Sequence, residues 1–175
     1  MIQGILLIVE DEPDLSEILV EMLAPICKEI YTAPQGKEAL DILSLNRGIH
    51  AILSDINMPQ MTGFQLLAEL RSAGNHIPFL TLTAYGDQEN MRESIRLDAT
   101  DFLTKPFERK ELIDVVSKAL IYGIELEKVQ KSIQNLYAST ELSSGDIDKL
   151  NEFHRLKMSL RIENSKYIKK SIQSK

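Results

Sequence analysis

Ala51-Ile52-Leu53-Ser54-Asp55-Ile56-Asn57-Met58-Pro59-Gln60-Met61-Thr62-Gly63 begins as an apolar run and passes straight into an aspartate and a turn-forming segment. A run with no polar alternation reads as a strand buried on both faces, the habit of parallel sheets. Working outward, residues 5–9, 29–32, 79–82 and 101–103 read as further strands, giving five with 51–54. Between them lie stretches with helical spacing: Leu15, Ile18, Leu19 and Met22; Ala39, Leu40 and Leu43; Phe64, Leu67 and Leu70; Met91, Ile95 and Leu97. A fifth helix begins near Glu108. Strict strand–helix alternation with short connections predicts an α/β fold, a doubly wound five-stranded parallel sheet covered by helices on both faces.

Length sets the scale. The 175 residues hold one ordinary domain plus something smaller, since a single core occupies about 100–150 residues. Hydrophobic content of 43% and charged content of 26% are ordinary for globular chains. No segment approaches the roughly 18 apolar residues of a membrane span. The apolar stretch from Ile5 to Val9 is too short for an export signal and runs into Glu10-Asp11-Glu12. The single cysteine, Cys27, has no internal disulfide partner, which favours a reducing cytoplasm and a role as core filler. The net charge of −6 hides an asymmetry: residues 149–175 hold eight Lys or Arg against two Glu, leaving a net −12 on residues 1–148.

Helical spacing continues past Leu120, with Tyr122, Leu126, Val129, Ile133 and Leu136 repeating at intervals of four and three. That is the seam of a coiled coil or of a long helix packing on a partner, with Gly123 as its weak point. A helix over 108–138 would be roughly 46 Å long at 1.5 Å per residue, so its distal half should project. Residues 139–146 are rich in turn formers, and 147–175 carry Ile147, Leu150, Phe153, Leu156, Leu160, Tyr167 and Ile168 among lysines. The expected organisation is therefore a domain over 1–121, an extension of its fifth helix over 122–138, a linker over 139–146 and a basic amphipathic helix over 147–175.

In doubly wound sheets ligands bind beyond the carboxyl ends of the strands. There the sequence places Glu10 and Asp11 after the first strand, Asp55 after the third, Thr83 with Ala84 after the fourth, and Lys105-Pro106 after the fifth. With the first and third strands adjacent, as in flavodoxin-like order 2-1-3-4-5, Glu10, Asp11 and Asp55 converge. Each carboxylate pair at about 4 Å would cost on the order of 4 kcal/mol at an effective dielectric of 20. The cluster therefore needs counter-charge, one from Lys105 and two from a hard divalent cation. Magnesium fits, because it takes one or two carboxylates and leaves room for phosphate oxygens. A carboxylate in that setting can attack a phosphoryl group, and Asp55 is the natural nucleophile. Lys105 would neutralise the transferring oxygens, and the Thr83 hydroxyl offers them a hydrogen bond.

The four motifs Ile8-Val9-Glu10-Asp11-Glu12, Ser54 to Gly63, Leu82-Thr83-Ala84 and Asp101-Phe102-Leu103-Thr104-Lys105-Pro106-Phe107 resemble the response-regulator receiver (CheY-like) family of two-component signal transduction, over residues 3 to about 122. The resemblance implies that Asp55 accepts phosphate from a histidine kinase or phosphotransfer protein, and that the chain is no classical enzyme. It implies that Glu10 and Asp11 organise magnesium together with Asp55 and the backbone carbonyl of Asn57. Lys105 would precede a cis Pro106. Thr83 would couple to Phe102, which turns inward when Thr83 moves; the other reading of Phe102 is a plain core aromatic. By the same resemblance Asn57 and Tyr85 would hold the places that tune phosphate lifetime, Tyr85 by shading the phosphoryl site from water; the other reading of Tyr85 is a surface aromatic. Two departures stand out: Phe102 lacks the hydroxyl some receivers carry, and Asp98-Ala99 replaces the common Gly-Ala, at a turn Asp tolerates.

For output, the leading expectation is homodimerisation or partner binding through the C-terminal helices, with fold-back of those helices on the domain as the alternative. A relay reading rests on Glu152-Phe153-His154-Arg155-Leu156, faintly like a phosphorylated-histidine motif, with His154 as phosphoacceptor. A third has the basic end bind nucleic acid or an anionic membrane; its charges spread around the helix and only Tyr167 interleaves, which argues against nucleic acid.

Overall fold

The computed structural model describes residues 1–138 except 47, 85 and 86. The expectations for Tyr85, for the linker, for the basic end and for His154 lie outside the described residues.

In chain order the elements are β1 (Ile5–Val9), α1 (Pro13–Leu23), β2 (Glu29–Ala33), α2 (Gly36–Leu45), β3 (Ala51–Asp55), α3 (Gly63–Ser72), β4 (Phe79–Ala84), α4 (Gln88–Arg96), β5 (Asp101–Lys105) and α5 (Arg109–Ala138). The five strands pair in parallel in the order β2-β1-β3-β4-β5, so the doubly wound sheet expected from the sequence is the fold. Four strands run past their apolar stretches. The register Asp55↔Leu82 and Ala84↔Lys105 keeps polar residues in the ladder, because backbone pairing is indifferent to the side chain that each residue carries. Those extra residues deliver Asp55, Thr83 and Lys105 to one end of the sheet.

Strand alternation splits the core in two. Leu6, Ile8, Leu53, Leu80 and Leu82 point to one face, where Leu19 and Leu23 of α1 and Leu112, Val116, Ala119 and Leu120 of α5 cover them. Leu7, Val9, Ile52 and Phe79 point to the other, under Ala39 of α2 and Leu66, Leu67 and Leu70 of α3. Fully burying each such side chain contributes about 1.5–3 kcal/mol. Cys27 belongs to the first cluster, and burial pushes its thiol up to about 11, so it is an inert filler.

Two positions depart from the apolar pattern. Ile18 is 46% exposed, and Leu23 takes the inward place beside Leu19. Ile95 is 49% exposed, and the one buried residue of α4 is Ser94; this helix meets the sheet through a hydroxyl.

Local caps follow the sequence. Pro13 opens α1, where a missing N–H is harmless, and Thr62 with Gln65 forms a capping box at the start of α3. Asp98 adopts φ 60, so the turn survives without glycine. Arg71 holds that turn. Its Nε and one terminal nitrogen donate to Asp98 O at 3.3 and 3.0 Å, while the other donates to Asn75 O at 2.8 Å and Ile77 O at 3.1 Å.

Met1–Gly123 forms one compact unit, and α5 passes through its end. Gly123, weak by helix propensity alone, is there for contact. A Cβ on it would lie 1.8 Å from the carbonyl oxygen of His50, so α5 packs backbone to backbone on the residue preceding β3. His50 is itself tied to β1: its backbone N–H donates to Ile5 O at 2.8 Å, and its Nδ1 accepts from Ile5 N at 3.0 Å. Gly123→Ala should therefore destabilise the protein by about 1–3 kcal/mol, although alanine gains about 1 kcal/mol of helix propensity. Urea unfolding of the two proteins measures the difference.

Candidate functional site

Strand ends β1, β3, β4 and β5 build the site. The central trio β1-β3-β4 is rigid, since residues 6–9 and 51–55 are all buried. From β1 the chain turns out through Glu10, 3% exposed, and the partly exposed Asp11; Asp55, 8% exposed, closes β3. One ligand-capable oxygen from each of Glu10, Asp11 and Asp55 lies within 4.8 Å of the others.

Lys105 reaches across from β5. Its Nζ lies 2.7 Å from Asp55 Oδ1 and 3.3 Å from Glu10 Oε2, a charge-assisted arrangement. The second oxygen of Asp55 accepts the backbone N–H of Asn57 at 2.9 Å, and Glu10 Oε1 accepts that of Glu12 at 3.3 Å. Three carboxylates thus face one ammonium. The electrostatics register that deficit: burial, joined by the charge of Asp55, holds the Glu10 carboxyl above its ordinary value against the opposing pull of Lys105. For Lys105, burial works to lower its value, but hydrogen bonds and charges from Asp55 and Glu10 outweigh it and hold the ammonium above its ordinary value.

The backbone around Asp55 is closely fitted. Ser54 Oγ donates to Asp55 O at 2.8 Å, and a Cβ on Gly63 would lie 2.2 Å from that same carbonyl oxygen. Gly63 therefore lets α3 start directly against the aspartate. Thr83 is buried at the end of β4, and its hydroxyl donates to Ala84 O over a long 3.4 Å. Phe102 is half-buried, paired in register with Thr81, two residues before Thr83. The side chain of Asn57 is exposed. The Lys105–Pro106 peptide bond is cis. Sequence reading brought the acids, Thr83 and Lys105 to this end, but not the Asn57 and Glu12 amides or the Ser54 hydroxyl, which act from positions with no chemical signature.

Fold and pocket together define a doubly wound domain with an acidic, lysine-closed crevice at the carboxyl ends of its strands. Residues 6–117 match the response regulator receiver domain. The chain is 38% identical over 112 residues to the response regulator protein FleR of Pseudomonas aeruginosa, covering 64% of this chain and 24% of that protein. It is 34% identical over 140 residues to the regulatory protein AtoC of Escherichia coli, covering 79% and 29%. It thus spans less than a third of either curated relative. Among solved structures, a putative response regulator from Chloroflexus aurantiacus superposes with a TM-score of 0.64 at 32% identity, over 68% of this chain and 98% of that one. Vibrio cholerae chemotaxis protein CheY4 gives 0.62 at 31%, over 67% and 99%.

The chain belongs to the response regulator receiver domain family of two-component systems. Receiver domains are generally phosphoacceptor switches rather than classical enzymes, bind Mg2+ at an acidic pocket and interact with histidine kinases or phosphotransfer proteins. Among the described residues, no helix is long and apolar enough to cross a membrane.

Glu10 supplies a test that needs no ligand. Since its folded value is raised, its contribution to stability is most favourable below the ordinary value of 4.5 and is lost as pH rises through the folded value. In metal-free buffer Glu10→Gln should raise the urea midpoint at pH 7, and the advantage should shrink as pH falls toward 4.5.

Proposed function

We propose that Asp55 is the phosphoacceptor of this receiver and that the pocket holds one Mg2+ while the phosphoryl group transfers. The observation that carries the reading is the convergence of Glu10, Asp11 and Asp55 within 4.8 Å around a single lysine. An Asp55 carboxylate oxygen attacks the phosphorus of a phosphohistidine or small phosphodonor. The new P–O bond forms as the bond to the leaving group breaks, and the proton balance is completed on the leaving group. Lys105, freed from Asp55 Oδ1, pairs with a phosphoryl oxygen, and the Thr83 hydroxyl leaves Ala84 O for another. Glu10, Asp11, Asp55 and the Asn57 carbonyl are the groups that would hold the metal; bound there, it supplies the positive charge that the three carboxylates lack. Phe102 follows Thr83 by packing inward, without a hydroxyl to offer a partner.

The phosphodonor is a histidine kinase or phosphotransfer protein of the cytoplasm, and output runs through the C-terminal helices. The seam Tyr122, Leu126, Val129, Ile133 and Leu136, on a helix continuous from Arg109 to Ala138, supports pairing with a second copy. The other arrangement has the C-terminal helices fold back and fill the seam themselves. Light scattering on the full chain, with and without magnesium and beryllofluoride, separates the two. A dimer supports pairing, and a monomer in every condition supports the filled seam.

Acetyl phosphate with Mg2+ should add one phosphoryl group by intact mass, and Asp55→Asn should abolish the addition. Labelling of Asp55→Asn at the wild-type level would refute the phosphoacceptor. Lys105→Ala should still bind beryllofluoride, at about 10–100-fold lower affinity, yet show none of the structural response.

A further inference from the structure

Helix α4 is held to the sheet differently from its neighbours. Helices α1, α3 and α5 each bury leucines in the core, whereas α4 buries Ser94 alone, at 1% exposure. Ser94 Oγ lies 3.0 Å from Oγ1 of the fully buried Thr81, and 2.9 Å from the carbonyl oxygen of Asn90. Each hydroxyl has one proton. The Asn90 carbonyl can only accept, so Ser94 donates to it and Thr81 must donate to Ser94.

This short chain closes on Thr83. Asn90 donates its backbone N–H and side-chain amide to the two Asp87 carboxylate oxygens, at 3.0 and 2.7 Å. Asp87 N–H donates to Ala84 O at 3.3 Å, the same oxygen that accepts the Thr83 hydroxyl at 3.4 Å. Thr81 and Thr83, two apart on β4, share a face of the strand. Thr83 is therefore linked to α4 twice, through Ala84 O at the start of the helix and through the Thr81–Ser94 hydroxyl pair one strand pleat back.

We propose that Thr81 and Ser94 form a hydroxyl latch that positions α4 on β4 and fixes how far the helix responds when Thr83 moves. The proposal rests on the reading of Asp55 as phosphoacceptor. The energetics suit a latch: a buried hydrogen bond has a modest net value, but a buried hydroxyl left without a partner is costly. An apolar contact would hold α4 in a range of positions, whereas the hydroxyl pair selects one. Both residues act on α4 and lie outside the groups proposed to hold the metal and the phosphoryl group, so they are positioning residues.

The test is amide hydrogen exchange across residues 88–97 of the full chain, with and without Mg2+ and beryllofluoride, alongside acetyl-phosphate labelling of Asp55. In the wild type, beryllofluoride should raise exchange in this segment about tenfold. Ser94→Ala and Thr81→Val should raise it by a similar factor without ligand, leaving little further response. Thr81→Ser, which keeps the hydroxyl, should behave as wild type. Labelling should stay within about twofold of wild type in all three. The latch is overturned if Ser94→Ala and Thr81→Val match the wild type in both states, if beryllofluoride leaves wild-type α4 unchanged, or if exchange rises equally across the whole domain. Normal labelling with any of these outcomes sinks the latch alone. A wild type that takes no phosphoryl group sinks the phosphoacceptor reading and the latch together.

Discussion

Three carboxylates and one ammonium at the end of a parallel sheet are the constraint around which this domain is arranged. Glu10, Asp11 and Asp55 sit where mutual repulsion is of kilocalorie order per pair, and Lys105 offsets only part of it. Their closeness makes the pocket a site of electrostatic repulsion, which the proposed cation would relieve. The apolar sheet holds the strand ends that carry these charges: Leu6 to Val9 and Ile52 are fully buried.

The same tension explains how a small chemical event becomes a structural one. Lys105 and Thr83 each have a resting partner, Asp55 Oδ1 and Ala84 O respectively, and in the proposed reading each exchanges it for a phosphoryl oxygen. On that reading the exchange would reach α4, because Ala84 O is shared between Thr83 and Asp87. Attachment of α4 through the Ser94 hydroxyl, in place of buried leucines, gives that exchange a defined contact to act on.

Much of this was legible in the sequence. Apolar runs gave the five strands, their order of appearance gave the parallel sheet, and the acids, Thr83 and Lys105 stood at the strand ends where chemistry belongs. What escaped reading shares a physical character. Strand ends were placed short because Asp55 and Lys105 are polar while their backbones stay in the ladder. Ile18 and Ile95 carry helical spacing but face solvent, since apolar character cannot distinguish a core face from a docking face. Arg71 and Ser94 work through backbone carbonyls and a hydroxyl distant in sequence, and no local pattern announces them. Gly123 read as a helix weakness because propensity is local and its contact with His50 is not.

The measurement that tests the central claim most directly is the urea stability of the full chain as a function of Mg2+ concentration at pH 7, for the wild type and for Asp11→Asn. A charge deficit filled by the cation predicts stability that rises logarithmically with Mg2+ once it exceeds the dissociation constant, by about 1.4 kcal/mol for each further tenfold, with the rise abolished in Asp11→Asn. A wild type as stable in chelator as in millimolar Mg2+ would contradict it, and the three converging acids would then need a different purpose.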